Sequence, residues 1–364
     1  MIVSNGYGED AVGNALASAL GGRGGDVRAF PLVGLGHSYR DVPLLDPRRT
    51  LPSGGFAFRG SWKLILAELR AGAWHLWRQQ RHALKRRRGH QSRVVAIGDA
   101  YGLWMATHAG APAVFIATAN SEYHDPFGWM ARYVIRRYAS VTYARDPLTV
   151  NALLNHGINA RYVGNPLMDV IEAGQLPPRP LPVVVLLPGS RDDAAKNLTT
   201  LLQLCAALRR TRPITFICAL PATLTREAVQ RAIYLIGWQE RDGRLESEQT
   251  QVLISRSFGP AVRAADVVVG LAGTANEQAA GLGKPVVVFP ITGAQYTARF
   301  MRLQHRLLGD ALVPARDRID AAAAVLRLLD DASERAHRGQ AGRERMGEPG
   351  AVHRIASALL ADQA

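Results

Sequence analysis

The chain has 364 residues, 48% of them apolar and 20% charged, which is enough core-forming material for two ordinary domains and excludes a disordered or fibrous protein. Lys and Arg outnumber Asp and Glu by 44 to 30, and the formal charge of +14 invites anionic partners: nucleic acid, a membrane surface or phosphorylated small molecules. No run approaches the ~18 apolar residues of a membrane span. The opening Met1-Ile2-Val3-Ser4-Asn5-Gly6 has no basic leader, so the expectation is a cytoplasmic chain that does not cross a bilayer.

Met1–Ser4 reads as a strand stub, shorter than the ~5–6 residues usual for a buried strand. The turn Ser4-Asn5-Gly6-Tyr7-Gly8-Glu9-Asp10-Ala11 follows and leads into a predicted helix at Ala11–Leu20. Its G-x-G-x-x-A spacing matches a dinucleotide fingerprint. The predicted second strand, Val27–Phe30, is not followed by the acid that fingerprint requires, and Glu9 and Asp10 put negative charge where a pyrophosphate would sit. A nicotinamide site is therefore not expected. Two readings stay open here: Asp10 caps the helix, or one of these two carboxylates faces a cleft as a general base.

Ser61–Arg93 carries two Lys and seven Arg against one acid, Glu68, and so holds +8 of the total charge. At ~100° per residue, Trp62, Ile65, Leu66, Leu69, Leu76, Trp77 and Leu84 fall on one face of a helix, with most of the cations on the other. The Trp62–Arg93 segment is either an ordinary helix packed on a sheet or an interfacial segment that meets an anionic membrane surface. No recognised motif supports a nucleic-acid partner. Beyond it lie predicted strands at Arg93–Ile97, Ala113–Ala117, Val141–Ala144 and Ala160–Val163, with Asp99 just past the end of the first.

The four prolines of Gly174–Pro182 break the rhythm and mark a domain boundary. We expect an N-terminal domain over 1–175, a second over 176–350 and a closing helix within 351–364 that could pack on either domain. In the second half the predicted strands are Pro182–Leu187, Ile214–Ala219, Gln251–Ile254, Asp266–Val269 and Pro285–Phe289, with helices between most of them. Strands alternating with helices mean parallel sheets covered on both faces. The expected class is α/β, two Rossmann-like domains whose sheets face each other across a cleft. The two cysteines, Cys205 and Cys218, sit in apolar runs as core thiols, and no Cys/His cluster or Asp-x-Asp motif suggests a metal.

Two turns in this half carry chemistry. Pro188-Gly189-Ser190-Arg191 follows a buried strand and offers backbone N–H groups and a guanidinium fork. Gly270-Leu271-Ala272-Gly273-Thr274 opens a helix whose N-terminus can hold a diphosphate, with Glu277 one turn further on. Glu277 serves equally as the acidic end of a capping box with Thr274 as the cap. Gln295 follows the last marked strand, where an amide suits sugar hydroxyls.

Taken in order, the PGSR turn, the Gly-Thr-x-x-x-Glu helix and Gly283-Lys284-Pro285, with Gly164-Asn165-Pro166 before the linker, resemble GT-B glycosyltransferases, above all lipid-A-disaccharide synthase. The resemblance implies a nucleotide-sugar donor, a UDP-hexose derivative, held by the second domain. Gly189, Ser190 and Arg191 would lie at its diphosphate, Gly273 and Thr274 at the phosphates and Glu277 at the ribose. Gln295 would meet the donor sugar, by analogy with the transferase that makes peptidoglycan lipid II. It also implies a lipid-linked or amphiphilic acceptor in the first domain, with Asp10 or Asp99 as catalytic base, no cofactor and no metal. The expected activity is inverting hexosyl transfer at the inner membrane face. The alternatives are a UDP-sugar epimerase of the same architecture and a non-catalytic nucleotide-sugar or membrane-binding module.

Overall fold

The computed structural model describes residues 1–49, 72–190 and 193–361. They form two compact units. Met1–Val170 is joined by Glu348–Ala364 in the first, and Ile171–Gly347 makes the second.

The sheet of the first unit has six parallel strands: β1 (Ile2–Ser4), β2 (Ala29–Pro31), β3 (Val95–Gly98), β4 (Ala113–Ala117), β5 (Ala139–Ala144) and β6 (Ala160–Arg161), in the order β2-β1-β3-β4-β5-β6. Strand side chains alternate between two cores, as the two-residue period requires. Val3, Ala96, Phe115 and Ala117 join one core, with Leu84, Leu103, Ile135 and Leu153 from the helices covering that face. Ile2, Val95, Ile97, Val114 and Ile116 join the other. There the first helix (Tyr7–Gly21) contributes Val12 and Leu16, and the closing helix (Ala351–Ala361) contributes Val352, Ile355 and Leu359. The closing helix is pinned at its start by the Asp169 carboxylate, which accepts from the backbone N–H groups of Gly350 and, at 2.7 Å, Val352.

The second unit has eight strands in the order β14-β13-β12-β7-β8-β11-β10-β9. Its centre is β7 (Val183–Leu187), whose five residues are all buried, as expected for a strand covered on both faces. Around it lie β8 (Thr215–Ala219), β9 (Gln239–Arg241), β10 (Arg244–Ser247), β11 (Thr250–Ser255), β12 (Val267–Gly270), β13 (Val286–Val288) and β14 (Leu312–Pro314). The β9–β10–β11 pairings are antiparallel and the others parallel. Cys205 and Cys218 are buried free thiols, and burial pushes Cys218 up to about 12.

Both sheets reverse strand order beside their first strand. In the first unit the chain leaves β1 for β2 on one side and then crosses to β3 on the other. In the second it leaves β7 for β8 and later places β12 on the opposite side. Such reversals open a crevice at the carboxyl ends of the two strands concerned, which is where doubly wound sheets bind ligands.

Candidate functional site

At the reversal in the first unit, β1 ends at Ser4 and the turn through Asn5 and Gly6 starts the first helix at Tyr7. This corrects the expected start at Ala11. Gly6 is the N-cap, with no side-chain cap, so Asp10 does not cap the helix. Asp10 points inward and is 0% exposed. Its Oδ1 accepts from Ser4 Oγ at 2.6 Å, and Ser4 Oγ lies 2.8 Å from the Tyr39 hydroxyl. Burial pushes Asp10 up to about 6. A carboxylate so enclosed has no face to offer a substrate.

Asp99 lies one residue beyond β3 and caps the helix Ala100–Ala106. Its Oδ1 accepts from Gly102 N at 2.9 Å and from Asn5 Nδ2 at 3.0 Å. Glu9, not among the expected site residues, is partly open at the same reversal. Thr118 Oγ1, just past β4, donates to it at 3.4 Å. Burial, followed by the nearby Asp99 and Asp10 carboxylates, pushes Glu9 up to about 7.

At the reversal in the second unit, the two glycine-containing turns are tied together. Leu271 N donates to Leu187 O at 2.8 Å. Buried Asn197 donates to Pro188 O at 2.9 Å and reaches Leu271 O at 3.5 Å. Gly189 has φ +85°, and a Cβ there would sit 3.0 Å from the Leu271 carbonyl oxygen, so the close approach needs glycine. Ser190 is exposed, and its carbonyl accepts from Thr223 Oγ1 at 2.9 Å. Arg191 lies outside the described residues.

The helix Thr274–Gly281 begins at this mouth. Gly273 is its N-cap, Thr274 is its exposed first residue and Glu277 is half-buried one turn in. With no side-chain cap and Thr274 inside the helix, the capping-box reading of Glu277 does not hold. A buried network fixes the turn from behind. Gln304 Nε2 donates to Ala272 O at 3.2 Å and Gly273 O at 3.0 Å. Its Oε1 accepts from Asn276 Nδ2 at 2.9 Å and from the Tyr296 hydroxyl at 2.7 Å.

The loop carrying Gln295 is clamped to the first turn of the helix Ala194–Arg209. Gln295 N donates to Asp193 Oδ2 at 2.7 Å, and Lys196 Nζ donates to Thr292 O at 2.5 Å. The structure thus brings Gly189 to the Leu271–Gly273 turn, and Gln295 to the helix that follows the Ser190 turn. Asn197, Asn276 and Gln304 were missed because single buried amides inside helical runs carry no motif. Among the described residues no group of three or more His, Cys, Asp or Glu could hold a metal ion, and no helix is long and apolar enough to cross a membrane.

Of the Trp62–Arg93 segment, residues 72–93 are described. The helix Ala73–Lys85 buries Leu76, Gln80 and Leu84. Trp77 stacks between Trp74 at 4.7 Å and Trp104 at 6.3 Å, with Arg81 over its ring. Trp74 remains 60% exposed. On the same face of the sheet, the helix Trp129–Tyr138 presents Trp129, Met130 and Tyr133 at 74, 63 and 65% exposure.

No protein-family model matches the chain. The lipid-A-disaccharide synthase of Verminephrobacter eiseniae is 29% identical over 293 residues, 77% of this chain and 71% of that one. The synthase of Azoarcus sp. is 28% identical over 227 residues, 57% of this chain and 52% of that one, so the chain spans about half of that relative's length. In fold, the calicheamicin glycosyltransferase CalG4 superposes with a TM-score of 0.64 at 16% identity, over 99% of this chain and 96% of that one. The UDP-GlcNAc 2-epimerase of Neisseria meningitidis does so at 0.58 and 13% identity, over 99% of each chain.

Proposed function

We propose that the chain is a GT-B glycosyltransferase similar to lipid-A-disaccharide synthase and that it moves a hexosyl group, with inversion, from a UDP-sugar to a lipid-linked or amphiphilic acceptor. The observation that carries the reading is the pair of turns at the strand reversal of the second unit, Gly189-Ser190 and Leu271–Thr274, joined by backbone hydrogen bonding and followed by helix N-termini. Open N–H groups at a helix N-terminus, with Arg191 beside them in sequence, meet the charge that develops on a departing diphosphate. The reaction is read as metal-independent on that account. Glu277 takes the ribose hydroxyls and Gln295 the donor sugar, while the acceptor belongs to the first unit.

The exposed Trp74, Trp129, Met130 and Tyr133 share a helical layer with Lys85–Arg88, Arg136 and Arg137. Aromatic and cationic side chains together favour an anionic bilayer surface, so we place the protein at the inner face of the cell membrane as a peripheral protein.

A thermal-shift titration with UDP and UDP-hexoses tests the donor. Binding raises the Tm with ligand occupancy, and Arg191→Ala or Glu277→Ala removes most of the shift. Absence of any nucleotide-sugar response overturns the reading. Conversion of the sugar without an acceptor replaces it with epimerisation.

A further inference from the structure

We propose that Glu9 is the general base that takes the proton of the acceptor hydroxyl. The inference rests on the glycosyl-transfer reading above.

Three observations converge on this side chain. First, it occupies the strand reversal of the first unit, where β1 and β3 present their carboxyl ends. Gly6 follows β1 and Gly98 ends β3, both with positive φ. A Cβ on Gly6 would lie 2.4 Å from Glu9 Oε2, and one on Gly98 would lie 3.3 Å from Glu9 Cγ. Two glycines therefore leave the space that this carboxylate fills.

Second, the other two acids at this strand end have structural tasks. Asp10 is sealed in the core on Ser4, and Asp99, itself half-buried, caps its helix, its Oδ1 accepting from Gly102 N and Asn5 Nδ2. Glu9 stays partly open, and among the described residues no cation pairs with it. Third, Asn5 Oδ1, on the same turn, is shielded and has no hydrogen-bond donor among the described residues. A second hydroxyl of a sugar acceptor gives that oxygen a donor and leaves the proton of the reacting hydroxyl to Glu9.

The surroundings suit the task. The ionisable groups acting on Glu9 are Asp99 at the start of the next helix and Asp10 on its own helix, and Tyr39 lies within its field. With burial they hold its pKa at about 7, where a base is both partly ionised at neutral pH and strong enough to accept a proton. In the step itself, the acceptor oxygen bonds to the anomeric carbon as its proton passes to the Glu9 carboxylate. The bond from that carbon to the β-phosphate oxygen breaks and its electron pair leaves with UDP. The proton then goes to water.

Glu9 stands three residues after the N-cap, where Glu and Gln serve equally well in a capping box. Glu9→Gln therefore separates chemistry from helix capping. For the parent we expect kcat/KM to rise about tenfold per pH unit below about pH 7 and to level off above it. For E9Q we expect kcat to fall on the order of 100-fold or more, the acid limb to vanish, and the UDP-induced thermal shift to stay unchanged. E9D keeps a carboxylate and so keeps the limb at a lower rate. An E9Q enzyme within about threefold of the parent, with the same limb, overturns the assignment of Glu9 alone. A parent that binds and transfers no nucleotide sugar overturns the glycosyl-transfer reading and this assignment with it.

Discussion

Asp10 and Glu9 are adjacent acids in one helical turn, and their side chains diverge by ~100°. That angle sends Asp10 into the core and leaves Glu9 at the open end of the sheet. The sequence showed two acids at the right strand end and could not say which one points where. Burial raises Asp10 from an ordinary 3.8 to about 6, so the folded chain holds a proton that the unfolded chain has already released. The contribution of Asp10 to stability therefore falls as pH rises from about 4 to about 6 and stays lost above that. Asp10→Asn removes the charge while keeping an oxygen for Ser4. Relative to the parent, it should gain up to about 3 kcal/mol between pH 4 and pH 8, at about 1.4 kcal/mol per pKa unit. Urea unfolding at the two pH values measures the change. A difference that does not move with pH would mean that Asp10 is not the buried acid described.

Among the elements, the helix Thr274–Gly281 is held from two sides. Gln304 grips its leading turn through the carbonyls of Ala272 and Gly273. Gly342, on the helix Ala332–Met346, lets that helix approach so closely that a Cβ would sit 2.2 Å from the Ala280 carbonyl oxygen. Gln304→Ala leaves buried donors and acceptors without partners, a loss of about 1–3 kcal/mol, and should weaken UDP binding by releasing the turn. Gly342→Ala must push the two helices apart, costing about 1–3 kcal/mol. Melting curves with and without UDP read both effects, and a full UDP shift in Gln304→Ala would sever the link between network and site.

Most strands of both sheets were legible because each is a short β-branched or apolar run between glycine or proline turns, as in Val183–Leu187. The β9–β10 hairpin was not. Gln239–Arg241 and Arg244–Ser247 are mostly polar residues at the sheet edge, and their extended form comes from pairing, β10 with β11 and β9 with β10. Nor was the first helix's true start, since Gly6-Tyr7-Gly8 has poor intrinsic helix propensity and the helix is carried by Val12 and Leu16 packing inside.

For the molecule as a whole, the closing helix ties distant parts of the chain into the first unit. Ile355 and Leu359 pack with Val12, Leu16 and Leu167 in one core, and Asp169 caps the approach to the helix. Deleting residues 348–364 should expose that core and abolish cooperative unfolding of the first unit, while the second unit, with its own core, stays protected. Hydrogen exchange read peptide by peptide distinguishes this from global collapse.

The charge is also a whole-molecule property. Neutralising Lys85–Arg88 removes four cations from one surface, each worth ~1 kcal/mol near anionic lipid. Vesicle binding should fall more than about tenfold while the UDP-induced thermal shift persists. Unchanged vesicle binding would return the +14 to mere composition.

The sequence by itself determined the alternation of strands and helices and the two glycine-containing turns of the second unit. Each of these is written in local residue order, as apolar runs, glycines and prolines. Only the tertiary structure decided which acid at the first strand end is sealed and which is partly open, which unit the closing helix joins, and how Asn197, Asn276 and Gln304 brace the glycine-containing turns of the second unit. Those outcomes depend on which side of a sheet each helix covers and on contacts between residues far apart in the chain, and no local pattern encodes them.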